Sequence, residues 1–173
     1  MKRLLPVCFV LLYILVMAGC KGDEAKAKYV FYFIGDGMGV NQVNGTEMFL
    51  AELDSVIGVK PLNFASFPVR NYATTYSVFN GVTCSAAAGT ALATGEKTKN
   101  YTIGMDRNRE HPVYSIARKA KDAGRKVGIV TSVGMNHATP AAFYAHQPTR
   151  TMYFEIGKDA AAAGFDLYGG GGI

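Results

Sequence analysis

Tryptophan is missing altogether, and cysteine and histidine occur only three times each in 173 residues. The missing tryptophan decides nothing. The scarcity of cysteine excludes a disulfide framework: Cys8 and Cys20 lie in or at the end of a segment expected to be removed, which leaves Cys84 alone. Charge is modest at 18% and apolar residues reach 49%, a balance that excludes a disordered chain and predicts a packed core. The net charge of +5 is dispersed. Lys2, Arg3, Lys21, Lys26 and Lys28 precede the folded region, and Arg118, Lys119, Lys121, Arg125 and Lys126 read as a solvated helix face. No basic cluster is interleaved with stacking aromatics, so no nucleic-acid partner is expected. No repeat is visible, and the G-x-G-x-x-G spacing of a dinucleotide site is not met.

What is there begins with an export signal. Lys2 and Arg3 make a positive start, Leu4 to Met17 is apolar apart from Pro6, and Ala18-Gly19-Cys20 follows. This is the pattern of a signal peptide, and the run is too short and too abruptly ended for a comfortable membrane span. The ending resembles a bacterial lipobox with Met17 where leucine is usual; ordinary cleavage nearby is the alternative. The polar stretch from Lys21 to Lys28 reads as a tether. The expectation is a signal peptide over 1–19, a lipidated tether over 20–28, a folded region over 29–173, and a protein held on a membrane through Cys20, facing the periplasm or the exterior.

In the remainder, Tyr29 to Ile34 is a short β-prone apolar run stopped by Gly35, which predicts a buried strand. Helices are predicted over Asn41–Leu53, Ser85–Thr94, Val113–Ala123 and Thr151–Ala163, the last three each followed by glycine. Strands are predicted over Val69–Tyr76, Lys126–Ser132 and Phe165–Tyr168. The alternation points to an α/β domain with a mostly parallel central sheet and helices on both faces. Ligands in such folds sit beyond the carboxyl ends of strands.

Three segments there carry chemistry. In Gly35-Asp36-Gly37-Met38-Gly39 a carboxylate flanked by glycines can approach a cation, or serve as a turn residue. Ser85 opens an alanine-rich helix; it reads either as an N-cap or as a nucleophile in the positive field of a helix N-terminus. Cys84 is a rival nucleophile without an identifiable local partner. Beyond Lys126–Ser132, His137 and Thr139 are two apart and can face one point, and Arg150 offers a planar fork for phosphate oxygens. A structural histidine and a surface arginine are the plainer readings.

Taken together and in order, these segments resemble the alkaline phosphatase family. The resemblance runs from about Tyr29 onward: Ile34 to Gly39, Ser85 to Gly95, the K-T-x-N and G-x-D stretch from Lys97 to Asp106, Ala138 to Arg150, and Asp166 to Gly171. It implies that Asp36 is a metal ligand shared between a zinc and a magnesium site. Ser85 becomes a phosphoserine, Thr139 ligates magnesium, and Arg150 clamps the phosphate of a phosphate monoester. Two zinc ions and one magnesium ion are implied, and a homodimer when full length. Two departures stand out. Cys84 occupies a position where many members carry Asp, which helps hold the arginine. His137 stands where many bacterial members carry Asp, and histidine suits zinc better than magnesium.

The family's remaining zinc ligands lie in motifs that His111, His137 and His146 do not fit, so the chain is expected to lack the C-terminal part of the domain and to be inactive or incomplete alone. The alternatives are a phosphate- or metal-binding lipoprotein without turnover, or a related phosphodiesterase or sulfatase. The C/S-x-P-x-R pattern of sulfatases does not follow Cys84.

Overall fold

The computed structural model describes residues 27–172. The signal-peptide reading and Cys20 lie outside the described residues, as does most of the tether. The chain divides into two compact units that meet in sequence between Ile34 and Gly35.

In the first unit, residues 27–34 are described. They form no strand, which corrects the expectation of a buried strand over Tyr29–Ile34. An extended segment becomes a strand only when a neighbour takes its N–H and C=O groups. Residues 27–34 belong to no ladder among the described residues, and Phe33 is 89% exposed.

The second unit contains α1 (Val40–Leu53), a 3-10 turn (Asn63–Ser66), α2 (Ser85–Thr94), α3 (Ile116–Asp122), β1 (Gly128–Val130), α4 (Ala138–Ala141), α5 (Tyr153–Ala163) and β2 (Leu167–Gly169). It is an α/β fold with a parallel sheet, as expected. β1 and β2 pair in parallel with Gly128 opposite Leu167 and Val130 opposite Gly169. Thr131 N–H extends the pairing to Gly169 C=O at 2.9 Å, and Met135 N–H to Gly172 C=O at 2.8 Å. The segment Val69–Tyr76 corrects a second strand expectation. It has no ladder partner among the described residues, and Val69 and Tyr72 are each 87% exposed.

The helices begin and stop for local reasons. The Ser115 hydroxyl accepts from Arg118 N–H at 3.0 Å and caps α3, which therefore starts after Val113 and Tyr114. Gly95 closes α2 at φ 83°, a left-handed conformation that glycine adopts without strain. The sequence reading placed no helix at α4. Pro140 lies in its first turn, where the absent N–H would have had no helical partner.

The core is built from small residues. Ala86, Ala87, Ala93, Ala138, Ala141 and Ala145 are each at most 2% exposed, with Ile103 and Ile156 the largest apolar side chains fully enclosed. Alanine buries little area, so its value here is close approach of backbones. A Cβ on Gly89 in α2 would sit 3.0 Å from the Ala142 methyl and 3.5 Å from Thr139 Cα. The glycine thus lets α2 lie directly on α4. Thr90 adds a buried polar staple: its hydroxyl accepts from Gly104 N–H at 3.0 Å.

Candidate active site

The turn that holds Asp36 is closed by Met38 N–H on Gly35 C=O and Gly39 N–H on Gly37 C=O, both 3.1 Å. Gly37 supplies the positive φ of 68° that the reversal needs. The Asp36 carboxylate then meets two hydroxyls. Ser85 Oγ donates to Oδ1 at 3.2 Å, and Thr139 Oγ1 donates to Oδ2 at 2.9 Å. One carboxylate therefore joins the start of α2 to the start of α4, which Gly89 has already allowed to pack together.

The two sequence readings of Ser85 are separated by its position. Cys84, not Ser85, is the N-cap of α2, with extended angles of φ −111° and ψ 166°. Ser85 is the first helical residue, and its hydroxyl turns to Asp36 instead of capping the helix. Cys84 is half-buried and tied in place: its N–H donates to Asn100 Oδ1 at 3.2 Å, and its sulfur accepts from Tyr101 N–H at 3.0 Å. Those contacts describe a structural thiol.

Arg150 and His137 form a second set. Arg150 Nη2 lies 3.3 Å from His137 Nε2. Arg150 N–H also donates to Tyr101 C=O at 2.7 Å. Among the described residues, the buried His137 Nδ1 meets no hydrogen-bond partner. His146 is occupied structurally, its Nδ1 2.7 Å from Gly104 C=O and its backbone N–H on Asp159 at 3.0 Å.

Sequence reasoning missed Asn100 and Tyr101 as parts of the site. Asn100 grips both sides of the serine turn, since its Nδ2 donates to Val82 C=O at 3.1 Å while its Oδ1 holds Cys84. Tyr101, at φ 72°, hands one peptide group to the Cys84 sulfur and the next to Arg150. A positive φ on a tyrosine leaves no mark in composition or periodicity. Only the neighbouring Lys97-Thr98-Lys99-Asn100 stretch pointed to the region.

For a cation, Asp36 with the Thr139 hydroxyl is a hard oxygen set of the kind magnesium takes. Among the described residues no group of three or more His, Cys, Asp or Glu could hold a metal. The described residues therefore fit part of a magnesium site and do not complete a zinc site, which takes three or four protein ligands.

A family model described as alkaline phosphatase matches residues 27–166. The chain belongs to the alkaline phosphatase family. It is 39% identical over 137 residues to the tissue-nonspecific alkaline phosphatase isozyme of Mus musculus, an alignment that spans 73% of this chain and 26% of that one. Among solved structures, the alkaline phosphatase of the Antarctic bacterium TAB5 matches with a TM-score of 0.67 at 32% identity, over 78% of this chain and 37% of that one. A histidine-to-aspartate variant of the TAB5 protein, described with Mg bound in the M3 site, matches with the same TM-score at 31% identity, over 78% and 36% of the two chains. The present chain thus spans about a quarter to two fifths of the length of these alkaline phosphatases.

Proposed function

We propose that this chain carries the nucleophile half of a phosphomonoesterase site, with Ser85 the nucleophile and Arg150 the phosphate clamp. The observation that carries the reading is the shared contact of Ser85 and Thr139 on the two oxygens of Asp36. A hydroxyl at the first position of a helix has backbone N–H groups around it that favour a phosphate. Its hydrogen bond to Asp36 aims the oxygen lone pairs away from the carboxylate and offers the proton a place to rest. In the reaction, Ser85 Oγ forms a bond to phosphorus as the ester oxygen leaves as an alcohol. Water then cleaves the phosphoserine to inorganic phosphate and free serine. Arg150 would hold two non-bridging oxygens through its fork.

Family membership implies zinc and magnesium. Asp36 and Thr139 would hold the magnesium, and His137 would join them through Nε2 only by giving up Arg150. Bound metals would supply positive charge that makes a hydroxyl more nucleophilic and eases departure of the leaving oxygen. The export reading of residues 1–28 would place this chemistry outside the cytoplasm, on a membrane surface.

The test is covalent trapping. The chain is incubated with an aryl phosphate, zinc and magnesium, quenched in acid, and digested for mass spectrometry. Phosphate on the Ser85 peptide, absent from Ser85→Ala, is the expected result; an unlabelled wild-type peptide would overturn the reading. A second reading, phosphate binding without turnover, is favoured by the lack of a three-ligand cluster among the described residues. Saturable inorganic phosphate binding with no label on Ser85 would select it.

A further inference from the structure

We propose that the cavity lined by α3, α5 and the chain around Phe143–His146 binds a small free amine, a primary ammonium on an apolar or aromatic body, with Asp159 as its counter-ion. The cavity has a volume of about 300 Å³, the lower end of the range for small-molecule sites. Asp36, Ser85 and Thr139 do not line it, so it is a second site and not an extension of the first.

The walls supply a place for the body of such a ligand. Phe143 and Phe165, each 8% exposed, and Tyr114 give the cavity an aromatic lining. Ala162 and Ala163 follow Asp159 by three and four positions on α5, so the three share a face of the helix. Two methyl groups beside the carboxylate leave the space in front of it open. Aromatic rings accept an apolar body by burial, and their faces attract a cation.

The polar groups around the cavity are committed, with one exception. Ser115 Oγ donates to Phe143 C=O at 2.6 Å. Arg118 Nη1 donates to Ala163 C=O at 3.2 Å, and the charge of Arg118 is answered by Asp122. The His146 ring is turned to Gly104, with Nδ1 at 2.7 Å from its C=O. Asp159 is the exception. Its Oδ2 accepts from His146 N–H at 3.0 Å and from Gln147 Nε2 at 2.8 Å, and both donors are neutral. Among the described residues Oδ1 accepts no hydrogen bond, and Asp159 takes part in no ion pair.

Bracing the 146–147 segment explains one oxygen of Asp159 and none of its charge, since an amide oxygen would accept the same two bonds. What the brace leaves over is a half-buried negative charge and a free acceptor beside an aromatic lining. Charges withdrawn from water are ordinarily paired. A primary ammonium supplies the opposite charge and N–H donors together. A quaternary ammonium has no N–H to give, and an anion would meet the charge of Asp159.

The test titrates the 173-residue chain with phenethylammonium chloride in amine-free buffer at about pH 7.5, where an alkylammonium keeps its proton, and follows binding by saturation-transfer NMR. Saturable binding is expected, about tenfold tighter than that of phenethyl alcohol, which has the same body without the charge. Asp159→Asn keeps an acceptor for the 146–147 segment. It is expected to bring the ammonium down to the affinity of the alcohol and to leave the alcohol unchanged. Ala162→Phe, at an exposed position of the lining, is expected to fill the cavity and abolish binding of both. No saturable binding of the ammonium, equal binding of the alcohol, or ammonium binding unchanged in either variant would overturn the proposal. A lysine blocked at both its amino and carboxyl ends separates the two sources of a primary ammonium. It is expected to bind more weakly than phenethylammonium; tighter binding would overturn the free amine in favour of a protein's lysine side chain.

Discussion

At the scale of single residues, the fold relies on polar side chains that each serve several backbone groups. Asp166 is the clearest case. Its carboxylate accepts from Val127 N–H at 2.9 Å and from Lys121 and Lys126 at 2.9 Å each, which braces the entry to β1 against the entry to β2. The backbone N–H of Val127 first, then the two ammonium groups, hold its acidity well below the ordinary carboxylate range. The sign of the pH effect follows. A carboxyl whose folded pKa is depressed stabilises the fold above its unfolded value, about 3.9, and that contribution is lost as pH falls toward the folded value. Thermal melts should therefore show the wild-type chain more stable than Asp166→Asn at neutral pH, with the difference shrinking steadily below about pH 4. A difference independent of pH would show that the carboxylate charge plays no part. The Lys126 partner is 89% exposed, so added salt should narrow the same difference.

At the scale of elements, close approach is the rule, and glycine sets it. Gly104 has φ 57°, and a Cβ there would lie 2.0 Å from Ala145 C=O and 2.9 Å from His146 Nδ1. Its N–H is held by Thr90, and its C=O accepts from Val113 N–H at 2.8 Å as well as from His146. Gly104→Ala should cost about 3–4 kcal/mol in urea unfolding, since backbone must move and both networks open. A loss under about 1 kcal/mol would mean that the 102–105 and 145–147 segments are not coupled as described. Four of the five helices among the described residues were legible in sequence, three of them because their stops are chemical: Gly95, Gly124 and Gly164 all adopt positive φ where the sequence placed them. The strands were less so. Lys126–Ser132 narrows to Gly128–Val130, and Tyr29–Ile34 and Val69–Tyr76 form none. Apolar content marks a segment for burial but does not supply the neighbour that pairs with it. The site followed the same division. Asp36, Ser85 and Thr139 were visible as residue types after turns, and the structure joins them. The Arg150–His137 contact and the strained Tyr101 were not visible, because hydrogen-bond direction and a positive φ leave no periodic trace.

At the scale of the whole molecule, exposed apolar surface stands out. Val69 and Tyr72 at 87%, Phe154 at 74% and Val130 at 73% are far from scattered single exceptions, and many other large apolar side chains accompany them. Surface of this kind associates, and an extended segment without a ladder partner templates pairing. Light scattering on the purified chain should show mass rising with concentration, together with strong binding of an apolar dye; a monomer at every concentration would contradict this. Asp36 has one further consequence, which concerns time. Among the described residues its carboxylate contacts are with partners 49 and 103 residues further along. Chains emerge at about 5–20 residues per second, so Thr139 follows Asp36 from the ribosome by roughly 5–20 s. For that interval the Asp36 carboxylate has water alone as its partner. The site is therefore a late arrival in the life of each copy, assembled only after α2 has waited for α4.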